Sequence, residues 1–149
     1  MTIRLRYSVA AALGLIAAVA FSPPANANGP SDPGADNCSN ADGAFDQAAF
    51  VIATVPDAGD RVSSGFVVLG CSRTFESTVN WRLTAPDGSE LNSGFTQGGG
   101  VDGPGPFQFT VPYSIGARGI GHLEVFEEDV SDGEGNPPGR TVLPLVLQP

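Results

Sequence analysis

The densest set of side chains able to hold a metal or move a proton lies in one stretch, EEDVSDGEGN, residues 127–136. Asp129, Asp132, Glu134 and Asn136 offer hard oxygens there, and Gly133 and Gly135 let the backbone turn around them. Calcium takes six to eight such oxygens, often from alternate residues around a glycine. The order Asp-x-x-Asp-Gly-Glu-Gly-Asn is not the twelve-residue calcium loop, and no bidentate glutamate closes it. A full shell would need Asp57 or Asp60 from another loop. The same residue types also suit a solvated connection between two strands, because they tolerate turn dihedrals. Both readings stay open. No metal is assigned, and calcium is the one cofactor the residues suggest.

The remaining chemistry is sparse. There is one histidine, His122, and no serine or cysteine pattern that would give it a nucleophile to activate. His122 falls on the solvent side of an alternating stretch beside Glu124, where a solvated side chain is the plain expectation. Sixteen acidic residues always provide carboxylate pairs, but nothing in the sequence sets two of them on one concave wall. The chain therefore reads as non-enzymatic, with no catalytic residue assigned.

Two cysteines, Cys38 and Cys71, allow one intramolecular pairing. Two thiols at long spacing with one histidine make no zinc set, and redox catalysis favours the close Cys-x-x-Cys arrangement. What they do depends on compartment, and the chain's start addresses that. Arg4 and Arg6 precede an apolar run at 9–21, and Ala25-Asn26-Ala27 is a small-x-small cleavage pattern. These are the three parts of a secretory signal, expected to be cut after Ala27. The run is shorter than the roughly 20 residues a membrane-spanning helix needs. No second apolar run follows, so no membrane insertion is expected after cleavage. The expected destination is secretion or the cell envelope. In that oxidising setting the two cysteines should close, adding about 3–4 kcal/mol in the chain-entropy treatment.

Removing residues 1–27 of the 149 leaves 122, the size of a single domain. All sixteen acids remain against five arginines, Arg61, Arg73, Arg82, Arg118 and Arg140, for a net charge of −11. A phosphate backbone or an anionic membrane would be repelled. Acidity of this kind keeps an exported protein soluble.

Residues 28–48 read as a flexible arm of Gly, Pro, Asn, Asp and Ser hooked on by Cys38. The domain follows at 49–149. Its apolar runs are short and punctuated by turns: 50–55, 65–72, 78–85, 90–97, 106–113, 121–128 and 140–148. Seven candidate strands at this spacing imply an all-β sandwich. Val79, Trp81 and Leu83 alternate with polar residues, as do Phe107, Phe109 and Val111, and then Leu123 and Val125. Period two sends each set to the core. Pro86-Asp87-Gly88 reads as a hairpin corner. Pro144 requires its strand to be an edge or to carry a bulge there. GGGVDGPG, residues 98–105, reads as a flexible loop without recognition side chains.

The order of VIATVPDAG, VSSGFVVLGCSRTFESTVNWRL, PDGSEL, PFQFTVPY, GHLEVFEEDVSDGEG and VLPLVL resembles the immunoglobulin-like domain of bacterial cell-envelope proteins, often found beside the GerMN domain of spore-germination proteins. The resemblance spans 49–147. It implies an immunoglobulin-like antiparallel β-sandwich of about seven strands with no known catalytic residues. Cys71 stands where the family has a small residue, so it should reach outward to the arm and not across the sandwich. Trp81, Phe75, Leu123 and Val125 are the expected structural core. Glu76, in the Phe-Glu pair the family also carries, should accept backbone N–H bonds or pair with Arg73 or Arg82. The expected function is a binding module for a protein or a cell-wall polymer, with loop 129–139 in the contact. A calcium-stabilised structural domain is the alternative, and a hydrolase of envelope polymers the third.

Overall fold

The computed structural model describes residues 38–130 and 138–149. The segment assigned to the signal and most of the arm lie outside them, as do Asp132, Glu134 and Asn136.

The described chain forms eight strands in two sheets, with no α-helix among the described residues. They are β1 (Phe50–Val55), β2 (Arg61–Val62), β3 (Phe66–Arg73), β4 (Thr78–Thr84), β5 (Glu90–Gln97), β6 (Gly105–Val111), β7 (Gly119–Phe126) and β8 (Arg140–Leu147). One sheet has the order β1-β3-β6, the other β2-β8-β7-β4-β5. All pairings are antiparallel except the short β2–β8 contact. The seven expected strands are all present. β2 is the addition, and two residues are too few to show a period.

The alternation read from the sequence is the one that builds the core. Val79, Trp81 and Leu83 of β4, Phe107 and Val111 of β6, and Leu123 and Val125 of β7 all point inward and are buried. Trp81 lies parallel to Phe109 of the opposite sheet, ring centres 5.1 Å apart, and Phe109 continues the stack to Phe107 at 6.0 Å. This aromatic ladder crosses the gap between the sheets. Such stacks add to the roughly 25 cal/mol per Å² gained from burial. On β5, directly opposite Trp81, stands Gly94. A Cβ there would come within 2.8 Å of the indole. The missing side chain is the space the tryptophan fills.

Pro144 sits where the edge condition holds locally. β8 is interior to its sheet, but β2 covers only Val146 and Leu147. At Pro144 the side facing β2 has no strand, and its carbonyl accepts from Gly59 N–H at 2.7 Å. The absent amide proton therefore costs no ladder bond.

Edge strands invite unwanted pairing, and here side chains occupy several of their free backbone groups. Thr141 of β8 donates its hydroxyl proton to Val51 O at 2.7 Å on the edge strand β1. On the other open side, Thr96 of β5 bonds Gln108 O of β6, and Asn92 bonds Pro112 O. Tyr113 follows β6 and closes the far end. Its hydroxyl lies 2.7 Å from Val62 O and 2.8 Å from Gln148 O, and accepts from Gln148 N–H at 3.0 Å.

Cys38 and Cys71 are bonded, with Cα atoms 5.4 Å apart. Cys71 stands on β3 between Ile52 and Pro106 and is buried outside the central cluster. The bond thus ties the arm to the outer face of the three-stranded sheet, the outward direction expected for Cys71. The described part of the arm is organised locally. The Asn40 side chain accepts from Phe45 N–H and donates to Asp46, and Phe45 packs on Phe50 with centroids 4.7 Å apart.

Candidate functional site

The antiparallel order brings three connections to one end of the sandwich: residues 74–77 after β3, 98–104 after β5, and, of the described residues, 127–130 after β7 with 138–139 before β8. The first carries Phe75, which was expected in the core. It is instead 69% exposed. The reason is its position. Residue 75 lies beyond the last paired residue of β3, Arg73, where the two-residue alternation no longer dictates an inward side.

The loop that shows this ring to water is tightly braced. Phe75 N–H donates to Glu127 Oε1 at 2.6 Å, across from the β7 end. Thr74 N–H and hydroxyl both donate to Gly99 O. Gly98 N–H donates to Ser77 O at 2.8 Å, and Thr78 hydroxyl to Glu76 O. Ser77 holds φ at 58°, a left-handed conformation that a non-glycine residue adopts only under local constraint.

The glycine run is part of this brace. A Cβ on Gly98 would stand 2.1 Å from Ser72 Oγ, on Gly99 2.1 Å from Gly105 N, and on Gly100 2.1 Å from Ser77 Oγ. At Gly99 backbone passes too close to backbone for any side chain, and at Gly98 and Gly100 serine hydroxyls fill the space. The expected flexible loop is thus corrected to a packed one: its glycines permit close approach. It also carries an apolar side chain, Val101, 59% exposed.

Glu76 does not take the part expected of it. Among the described residues, Arg82 pairs with Glu124, and Arg73 donates to Ala48 O and Val101 O at 3.4 and 3.2 Å. The carboxylate that binds the loop's backbone is Glu127. A glutamate at the end of an alternating strand gives no sequence sign of reaching across to the next loop.

Phe75 and Glu127 together form a ridge between two hollows. One, of about 200 Å³, is walled by Ala49, Arg73, Thr74 and Val101. The other, of about 80 Å³, is walled by Glu76, Thr78, Asn80, Glu128 and Val130, the last 77% exposed. Asp129, exposed, follows Glu128 into the acidic loop.

Of the acidic loop's four suggested calcium ligands, Asp129 alone lies within the described residues. Among those residues no three His, Cys, Asp or Glu side chains are grouped to hold a metal. Of the residues expected in the core, Trp81, Leu123 and Val125 are there.

A third hollow, of about 350 Å³, opens on the outer face of the five-stranded sheet between Arg82, Glu90, His122, Glu124 and Val142. It brings two carboxylates and the histidine near one another, the combination a hydrolase would need. Their bonding suits bracing better. Glu124 gives one oxygen to Arg82 and the other to Arg140, the latter at 3.1 Å. Glu90 Oε1 accepts from Ser93 hydroxyl at 2.8 Å. An open sheet face with its central carboxylate held by two guanidiniums is poorly built for proton transfer, which calls for an enclosed group free to exchange its proton.

The model for Gmad2, the immunoglobulin-like domain of bacterial spore germination, matches residues 50–134, more than half of the chain. The chain belongs to this family. Neither the curated proteins nor the solved structures contain a match. The matched Gmad2 region runs from β1 through β7 and includes the exposed Phe75 and the start of the acidic loop. β8 and the cysteine-bearing arm lie outside it, although β8 completes the five-stranded sheet.

Proposed function

We propose that the chain is an exported, non-enzymatic recognition module of the cell envelope that binds a protein through the Phe75 end of its sandwich. The observation that carries this reading is the large aromatic held in solvent by a loop braced from two neighbours. Leaving a phenylalanine exposed forgoes the burial that stabilises a fold, so a rigid, exposed ring between two hollows is well suited to an anchor. A rigid loop also loses little freedom on association. Scaffolds of this type place recognition on end loops.

The test uses the bead-bound chain and a cell-envelope fraction, offered untreated and after protease digestion. Saturable retention of untreated material, lost on digestion and lost with Phe75→Ala, is the expected result. Retention that survives digestion would favour a wall polymer as the partner. Retention unchanged by Phe75→Ala would remove this end as the site.

A further inference from the structure

We infer that the partner presents a basic polypeptide segment that lays one large apolar side chain beside Phe75. This rests on the reading above and adds the partner's chemistry. Other large apolar side chains are exposed on the strands, Phe95 of β5 among them, but the three loops at this end each add one, Phe75, Val101 and Val130, all more than half exposed. The larger hollow, about 200 Å³, has Ala49, Val101 and the Phe75 ring among its walls, a setting that accepts a side chain of leucine, isoleucine or methionine type.

Charge selects among apolar partners. Glu76, Glu127, Glu128 and Asp129 stand around the smaller hollow or beside it, and Asp102 follows Val101. Among the described residues that line the two hollows, the one cation is Arg73. Its terminal nitrogens are turned onto the carbonyls of Ala48 and Val101, so it serves the loops. Glu127 gives one oxygen to Phe75 N–H. The end is therefore an apolar ridge in an acidic rim. Its complement is an apolar residue flanked by lysine or arginine, since rim charges of opposite sign speed encounter and reject like-charged competitors.

The experiment selects from a random-peptide display library on the biotinylated domain, then titrates synthetic copies of the enriched peptides by fluorescence polarisation. Enriched sequences should carry Lys or Arg next to one large apolar residue. Phe75→Ala should weaken binding at least about tenfold. The double change Glu76→Gln with Glu128→Gln should weaken it about threefold and flatten its dependence on salt, because rim charges are screened by added ions. Ile120→Ala, at the opposite end of β7, should change nothing. Circular dichroism of each variant separates lost binding from lost fold. Enrichment of neutral or acidic peptides that still need Phe75 would overturn the basic partner and leave the recognition end standing. Peptides indifferent to Phe75→Ala would overturn both. A library that yields no binder would overturn the peptide inference, while the envelope-fraction test still decides the broader reading.

Discussion

Cys38→Ala opens the loop that ties the arm to β3, and its effect can be worked from the chain. The bonded cysteines are 33 residues apart. Closing a loop of that length lowers the entropy of the unfolded chain by about 12.5 cal/mol/K, equivalent to about 3.7 kcal/mol at 25 °C. Cys71 stays buried as a thiol, which behaves as a small apolar group, so no polar atom is stranded. Freeing the arm also loosens the Phe45–Phe50 contact, worth about 0.5–1 kcal/mol beyond its area. The expected loss is about 3–5 kcal/mol. For a domain of this size that lowers Tm by about 12–20 °C, at about 4 °C per kcal/mol. Urea unfolding followed by tryptophan fluorescence is the assay, because Trp81 reports the core. A reductant should destabilise the wild-type chain by the same amount and leave Cys38→Ala unchanged. A loss below about 1 kcal/mol would refute the reasoning, showing that the closed loop does not restrict the unfolded chain as supposed.

Three further outcomes are expected. Gly99→Ala should cost about 2–3 kcal/mol in urea unfolding, since its Cβ meets backbone atoms of Gly105 and Ser72 that cannot step aside. Tyr113→Phe should cost about 1–2 kcal/mol by the same measurement, through the loss of the hydroxyl that joins Val62 to Gln148. Asp87 should titrate below its ordinary value of 3.8, because the hydroxyl and then the amide of Ser89 donate to its carboxylate. A depressed folded-state pKa means that this group's stabilisation is complete above the unfolded value and fades as pH falls through the folded one. Carboxyl NMR titration should show Ser89→Ala moving Asp87 back toward 3.8, and an unmoved value would discount these bonds as the cause.

Much of the fold was legible because period-two alternation is a local signal. Val79, Trp81 and Leu83 declare an inward face without knowledge of the partner strand, and so do Leu123 and Val125. The site was less legible, because its parts lie in loops, where alternation stops. Phe75 looks like core until the last paired residue of β3 is known. The run at 98–100 looks slack until the backbones it lies against are placed. Glu127 reads as one more acid until the Phe75 amide is found beside it. Each of these depends on contacts between residues distant in the sequence.

The Tyr113 clamp has a practical geometric consequence. β8 advances about 23 Å from Arg140 to Leu147 at strand rise, so Gln148 is fastened a full sandwich height from Phe75. Cys71, by contrast, lies only four residues before Phe75, and the disulfide draws the arm toward that same end. A sensor surface or fluorophore coupled at the carboxyl terminus would orient the three loops toward free solution. Coupling through the amino-terminal arm would crowd them.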